Sequence, residues 1–327
     1  MAHEIDKSNE RENMAYVGEA PWHRLGNQLT AGADIDTWKT EAGLGWSVIP
    51  SPVHFADLEG QMKEWAERIV LVRSDTGVPL SVVSNLYHPV QPPQVLEFFR
   101  DLIEVYSAFS LETAGSLRGG QRIWAMAKAT DEFCELQGKD QIARYLLLAT
   151  SFDKSMSTIV QQTAVRVVCN NTLSLSYGRG ERGQETQLKI SHGSEFRPEE
   201  VKDEMFLNEE WAQFTSVIHQ LSKRHTTVEE TDEFFRSVYY PAVPLTELSK
   251  GQVNRIVKLE EVCVAAPGQQ LASAKGTAWG LLNTVTFEVD HGGKSRAEDK
   301  QMDSSLFGYG KTVKERAWNA ATALIEN

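Results

Sequence analysis

The stretch from residue 141 to residue 177 constrains the fold most, because it is apolar enough to form a core and yet carries a cluster of polar residues. Two runs rich in β-forming residues, Tyr145 to Thr150 and Ile159 to Cys169, flank the turn-forming residues 151–155. A turn between two such runs predicts a pair of adjacent strands. We therefore expect this stretch to lie at the centre of a sheet.

Arg166 is the unusual residue of this stretch, because it follows Val165 and precedes two further valines. A buried guanidinium must find a carboxylate, a carbonyl or a phosphate, since an unpaired buried charge is very costly. The sequence leaves a structural ion pair and a phosphate contact both open. Directly after Cys169, the Asn and Thr residues at positions 170–172 predict the N-cap of a helix.

Composition narrows the class of protein. The chain has 327 residues, 41% of them hydrophobic and 24% charged, which is typical of one large globular domain or two ordinary ones. No run approaches the ~18 apolar residues of a membrane span, and the N-terminus lacks the apolar core of a signal peptide, so we expect a cytoplasmic protein without a membrane partner. The scattered cysteines (Cys134, Cys169 and Cys263) and histidines predict neither a disulfide framework nor a metal site, and no cofactor is indicated.

The charge distribution bears on nucleic-acid binding. A net charge of -12 counts against a nucleic-acid partner, because phosphate binding depends on Lys and Arg. Between Gly115 and His192, however, ten Lys or Arg residues stand against seven Asp or Glu residues. This asymmetry permits a basic groove on an acidic protein, and ordinary scatter explains it equally well.

The pattern of elements predicts an α+β fold. Apolar, β-branched runs indicate strands up to about residue 193, with one amphipathic helix that begins at Pro92 and should pack on the sheet. From Pro198 onward the pattern is helical. We therefore predict a polar N-terminal arm (residues 1–20), a β-rich domain with a mostly antiparallel sheet (residues 21–193), and a helical C-terminal region (residues 194–327).

Basic residues interleaved with aromatic ones form the candidate site. Strand alternation over residues 122–128 places Arg122, Trp124 and Lys128 on one face, and a glycine-rich loop carries Arg118. Cations that follow phosphates and rings that stack on bases are what single-strand binding needs. The predicted nucleic-acid contacts are Arg118, Arg122, Trp124 as the stacking ring, Lys128, Lys154 and Arg166. A plain hairpin turn and a buried Trp are the structural alternative.

Two other function classes remain open. An enzyme acting on nucleic acid or nucleotides could use Asp153, Cys169 and His192 near Arg166, although a cysteine after two valines is typical of a core thiol, and we predict no catalytic residue. An acidic protein of this kind could instead block a host defence enzyme by mimicking the charge of nucleic acid. Each class predicts a different partner.

Several motifs resemble the phage/plasmid-like protein family built on a domain of unknown function. They span the chain from Trp22–Gly26 to Asp290-His291, and the most specific of them covers residues 165–173, where this chain has Asn170 and many relatives have Gln. The others are residues 73–77, residues 112–120 and residues 278–283. The resemblance implies a mobile-element protein in a bacterial cytoplasm, with no established activity.

An analogy of genome context and of sheet-plus-helix layout extends this resemblance to the single-strand annealing proteins of phages. Those proteins form rings or filaments that hold single strands in a basic groove. The analogy implies a non-catalytic, oligomeric protein that binds single-stranded DNA and promotes annealing in phage or plasmid recombination.

Overall fold

The computed structural model describes residues 4–8, 11–18, 25–106, 109–168, 171–174, 187–203, 207–244, 247–292 and 301–326. Over these ranges the fold is α+β, as the sequence predicts, with strands in the first part and helices in the second. None of the helices in these ranges is long and apolar enough to span a membrane.

Two sheets contain the strands. In chain order these are β1 (Met14–Val17), β2 (Asn27–Leu29), β3 (Val48–Ala56), β4 (Met62–Arg73), β5 (Pro79–Ser84), β6 (Phe109–Leu117), β7 (Arg122–Leu136), β8 (Asp140–Ser151), β9 (Thr158–Arg166), β10 (Asn171–Ser174) and β11 (Gln187–Ile190). The larger sheet has the order β10-β9-β8-β7-β6-β1-β2, and β11 also pairs with β9. Its neighbours are antiparallel except for β1 and β2, and β3-β4-β5 form a separate antiparallel sheet.

The helices begin with two that belong to the β-rich part and continue with a C-terminal group. They are α1 (Ile35–Glu41), α2 (Pro92–Tyr106), α3 (Pro198–Asp203), α4 (Leu207–Leu221), α5 (Val228–Tyr239), α6 (Lys250–Ala265), α7 (Ala278–His291), α8 (Gln301–Phe307) and α9 (Tyr309–Glu326). Capping boxes begin α5 at Thr227 and α6 at Ser249. In each, the N-cap hydroxyl accepts from the backbone N–H of the residue three positions later, and the side chain of that residue accepts from the N-cap backbone N–H.

Helix α2 packs on one face of the larger sheet, which confirms the prediction made from its periodicity. Its buried residues Val95, Phe98 and Phe99 join Leu146 and Leu148 of β8 in one apolar cluster. These two leucines are two residues apart and therefore point to the same face of the sheet.

The opposite face of the sheet is covered from the far end of the chain. Trp124 of β7 and Leu147 of β8 are buried there, and Met302 and Phe307 of α8 pack against them. The face on which the sequence places Trp124 is therefore an interior surface.

The sheet and the C-terminal helices share a core. Ile142 and Ala164 of the central strands lie in one buried cluster with Trp211, Trp279 and Leu282 of the helices. Each Å² of apolar surface removed from water stabilises the fold by ~25 cal/mol. The two parts are therefore held together by a continuous hydrophobic contact.

The segment after β9 differs from the prediction of a capped helix. Asn171–Ser174 is the strand β10, and it pairs antiparallel with residues 163–166 of β9. The ladder hydrogen bonds to β9 satisfy the backbone groups that a helix cap would otherwise serve, so sheet pairing overrides the local signal. Cys169 and Asn170 lie outside the described residues.

A buried polar cluster fixes the N-terminal residues against the β6–β7 turn. Asp6 accepts from Arg73 at 2.6 Å and from Asn13 at 2.7 Å, and the Arg73 guanidinium also donates to the Gly119 carbonyl at 3.0 Å. The residue after that glycine, Gly120, has φ of 92° and lies so close that an added Cβ would be 2.7 Å from the Arg73 guanidinium. Within the segment predicted as a polar arm, β1 and the cluster around Asp6 are thus parts of the folded structure.

We predict that Gly120→Ala lowers the free energy of unfolding by about 2–4 kcal/mol, because it adds a collision with the Arg73 guanidinium to the ~1–2 kcal/mol cost of a left-handed conformation. Gly119→Ala is the matched control, since Gly119 also has a positive φ, of 67°, but has open space where its Cβ would lie. Urea unfolding of both variants measures the difference. Equal losses in the two variants would contradict the packing argument.

Candidate nucleic-acid interface

Arg118 and Arg122 lie together at the β6–β7 turn, where one carboxylate serves both. Arg118 donates to Asp303 at 2.6 Å and to Glu4 at 3.0 Å, and Arg122 donates to the other oxygen of Asp303. Asp303 is in α8, so the two arginines fasten the turn to the C-terminal helices. Their charges are neutralised by carboxylates.

Trp124 lies beneath these arginines and is only 1% exposed. Its ring packs among apolar side chains that include Ile5 and Met14, and its indole Nε1 has no hydrogen-bond partner within the described residues. A ring covered in this way offers no face to a base. Lys128 lies on the same face of β7 as Trp124. It is half-buried and pairs with Ser110 of β6 and Tyr145 of β8.

Arg166 is 2% exposed and forms a bidentate ion pair with Asp140. Its Nε donates at 2.8 Å and a terminal nitrogen at 2.7 Å, and the same nitrogen donates to the Gly268 carbonyl at 3.0 Å. Asp140, which is fully buried, also accepts from Ser273 at 2.7 Å and from the indole of Trp279 at 3.0 Å. A phosphate could reach this guanidinium only if the pair opened.

Lys154 lies elsewhere, in an open groove of about 340 Å³ between three turns. It is exposed, and it has no hydrogen bond or ion pair within the described residues. The groove is bounded by the end of β5, by the β8–β9 turn that carries Lys154, and by the residues that follow β11. A short backbone bond from His88 N–H to the His192 carbonyl, 2.7 Å long, holds the first and third of these together.

A stacked aromatic pair forms one wall of this groove, which we call the Tyr87–His192 groove. The two ring centroids are 4.5 Å apart, with 22° between the planes. The Tyr87 hydroxyl donates to the Ser151 carbonyl at 2.7 Å, and the nitrogens of His192 lie 3.4 Å from the carbonyl oxygen of His88 and 3.3 Å from that of Met156. Leu86, at the mouth of the groove, is 71% exposed.

The charges in the groove follow from burial and hydrogen bonding. Burial lowers the pKa of His192 below its ordinary value, although the carbonyls of His88 and Met156 oppose this, so the imidazole is neutral at pH 7. Burial alone would raise the pKa of Asp153, but hydrogen bonds from Ser155 and the charge of Arg122 outweigh it and lower that pKa. Lys154 is therefore the exposed cation of the groove.

Of the residues considered for an enzyme, two lie near each other and Arg166 is separate from them. Asp153 and His192 both belong to the surroundings of the groove, because Asp153 precedes Lys154 and its charge acts on Tyr87, which stacks on His192. Arg166 is enclosed in its own ion pair, and Cys169 lies outside the described residues. Among the described residues no group of three His, Cys, Asp or Glu side chains is arranged to hold a metal ion.

Sequence reasoning missed Tyr87, Asp140 and Asp303, which define the site as much as the predicted residues do. Tyr87 lies in a short segment without periodicity, and Asp303 is 185 residues from Arg118. For Asp140 the sequence contained one signal, the charge of Arg166, because a buried guanidinium requires a carboxylate from elsewhere in the chain.

We predict that Arg166→Ala costs about 3–5 kcal/mol of stability, because it leaves the buried Asp140 carboxylate without its cation. Asp140→Ala should cost a similar amount, and the double variant should cost less than the sum of the two, because the residues interact directly. Chemical unfolding measures all three, with Lys154→Ala as the exposed control that should stay within ~0.5 kcal/mol of wild type. A small loss in Arg166→Ala would argue against the structural role.

Comparison with known proteins identifies a family. A family model described as "Domain of unknown function (DUF932)" matches residues 79–307, which include the Tyr87–His192 groove and the Arg166–Asp140 pair. No curated protein and no solved structure matches the chain. Because the matched residues make up well over half of its length, the chain belongs to the DUF932 family.

Proposed function

We propose that this protein binds single-stranded nucleic acid and that the Tyr87–His192 groove is its binding surface. The observation that carries the proposal is the exposed Lys154 beside a stacked aromatic pair in one groove. Cations that follow the phosphates and rings on which bases stack are the two components of single-strand binding, and each stacked base contributes ~1–3 kcal/mol.

Charge pairing favours this groove over the arginine cluster. The guanidinium groups of Arg118, Arg122 and Arg166 already have carboxylate partners, so a phosphate would have to displace Asp303 or Asp140. Lys154 needs no such exchange, because it has no acidic partner within the part of the chain that is described. A phosphate contact at Lys154 therefore forms without the free-energy cost of breaking an ion pair.

The size of the groove sets the expected mode of binding. A volume of about 340 Å³ is at the lower end of the range for small-molecule sites and suits one nucleotide unit. A longer strand would continue over the open ends of the groove, where an acidic protein of net charge -12 offers little further attraction. We therefore expect modest affinity with a small dependence on salt.

The wider role that we propose is the annealing of complementary strands, without catalysis, by an oligomer in phage or plasmid recombination in the bacterial cytoplasm. It is supported by the resemblance at residues 165–173 and by the sheet-plus-helix layout, which is an argument by analogy. Annealing can be measured directly by the rate at which two complementary labelled strands form a duplex with and without the protein.

We predict that Lys154→Ala weakens binding of a fluorescent oligothymidylate and reduces the slope of log K against log salt by about 0.7, the value for one lost phosphate contact on a single strand. Lys139→Ala is the matched control, because Lys139 is also an exposed lysine with a positive φ, 62° against 64° for Lys154, and lies outside the groove. Anisotropy titrations at several salt concentrations measure both slopes.

If the wild type fails to bind the oligonucleotide at low salt, single-strand binding is excluded. Turnover of nucleotides that depends on Asp153 and His192 would then favour the enzyme, and binding of a host protein without any nucleic acid would favour the interaction protein. Equal slopes of log K against log salt for wild type and Lys154→Ala would show that the binding site lies outside the groove.

We predict that Tyr87→Leu weakens oligonucleotide binding by about 5- to 150-fold, because a stacking ring contributes ~1–3 kcal/mol. Tyr87→Phe separates the ring from the hydroxyl: it loses the bond to the Ser151 carbonyl but keeps the ring over His192. It should therefore bind like the wild type and lose only about 0.5–1.5 kcal/mol of stability. Weak binding by Tyr87→Phe would show that the ring alone is not what the strand contacts.

A further inference from the structure

A second cavity lies among the C-terminal helices, away from the Tyr87–His192 groove. Its volume is about 530 Å³, which is within the range of small-molecule sites, and Tyr239 of α5, Arg255 of α6 and Glu288 of α7 form part of its wall. Ser304 of α8, the first residues of α9 and Arg118 of the β6–β7 turn also line it. Residues from five helices therefore converge on one concave space.

The hydroxyl of Tyr239 is an unsatisfied donor in this wall. Tyr239 is 6% exposed, and its hydroxyl proton has no acceptor among the described residues, where the nearby Arg255 side chain can only donate. A buried polar group without a partner costs ~1–3 kcal/mol, so such groups are rare and call for an explanation. Burial raises the pKa of Tyr239, and the charges of Arg255 and Glu288, which line the same cavity, also act on its hydroxyl.

Arg255 supplies a positive charge to the cavity. Its guanidinium carbon lies 4.4 Å from the centroid of the Tyr239 ring, and within the described part of the chain it has no carboxylate partner. The two carboxylates of the cavity do have cations: Glu288 pairs with Lys258 at 3.4 Å, and Asp303 pairs with Arg118 at 2.6 Å. Among the described residues that line the cavity, the charge left without a partner is therefore positive.

The wall beside these two donors is rigid. Lys314 of α9 forms a buried ion pair of 2.6 Å with Asp290 of α7. Gly310 at the start of α9 packs so closely on α7 and α8 that an added Cβ would be 2.9 Å from both Ser304 and Val289. These contacts keep the α7, α8 and α9 side of the cavity in one shape before a ligand arrives, which lowers the entropic cost of binding.

We propose that this cavity binds a small organic anion, whose phosphate or carboxylate group accepts hydrogen bonds from the Arg255 guanidinium and the Tyr239 hydroxyl. The ligand's oxygens accept the hydroxyl proton of Tyr239 and balance the charge of Arg255, and the Ser304 hydroxyl, which accepts from the Gly310 N–H at 3.1 Å, lines the same cavity. Val289 and Val313, which also line the cavity, contact the organic part of the ligand.

The test uses the full-length protein and two probes, inorganic phosphate and succinate, titrated by calorimetry against sodium chloride of the same ionic strength. Saturable binding of at least one oxyanion is expected. Binding of phosphate alone identifies a phosphoryl ligand, and binding of succinate alone identifies a carboxylate. Binding of neither, or heats that chloride reproduces, overturns the proposal.

Arg255→Gln and Tyr239→Phe should each weaken binding of the effective probe by about tenfold or more, because each removes a hydrogen bond to a charged group. Arg68→Gln is the matched control, since Arg68 also stacks on an aromatic ring, that of Trp65 at 5.3 Å, but lies outside the cavity. It should bind like the wild type.

Thermal melts distinguish a ligand-binding role of the Tyr239 hydroxyl from a purely structural one. Its hydroxyl proton has no acceptor among the residues that the structure describes, so Tyr239→Phe should melt at or above the wild-type temperature without anion. The proposal also requires that the anion raise the melting temperature of the wild type more than that of this variant. Equal stabilisation of the two proteins, or unchanged affinity in the variants, would refute it.

Discussion

The ion pair between Arg166 and Asp140 is the interaction on which the arrangement of the molecule depends. Removing both charges from water costs several kcal/mol per ion, and the pair is tolerable only because two parallel hydrogen bonds join it and Ser273, Trp279 and the Gly268 carbonyl complete its partners. Those partners belong to the segment before α7 and to its first turn. The sheet therefore specifies where α7 lies, and α7 in turn forms a wall of the C-terminal cavity.

Pairing between distant residues neutralises several of the arginines of this acidic chain, including three in its locally basic segment. Arg73, Arg118 and Arg122 all meet carboxylates from other parts of the chain, as Arg166 does. A guanidinium used in this way positions structural elements instead of attracting a ligand. Lys154 and Arg255 are exposed cations with no carboxylate partner among the described residues, and both lie at concave surfaces.

The sequence predicts what local periodicity determines. The amphipathic pattern of α2, the alternation over residues 122–128 of β7 and the apolar run in β8 identify these elements, because each pattern lies within one short segment. The local sequence does not predict that Trp124 is covered, since Met302 and Phe307, which cover it, come from the other end of the chain. The strand Asn171–Ser174 is decided by its partner β9, and the stacking of Tyr87 on His192 joins residues with no shared local pattern.

The sharing of Asp303 by two arginines also affects how the protein is made. Asp303 follows Arg118 by 185 residues and Arg122 by 181, so at ~5–20 residues per second about 10–40 s pass between their synthesis and that of the carboxylate. During this interval the nascent sheet has neither Asp303 for its arginines nor Met302 and Phe307 to cover Trp124. A chaperone that holds exposed apolar surface would meet this face of the sheet on the ribosome, before the last two helices close it.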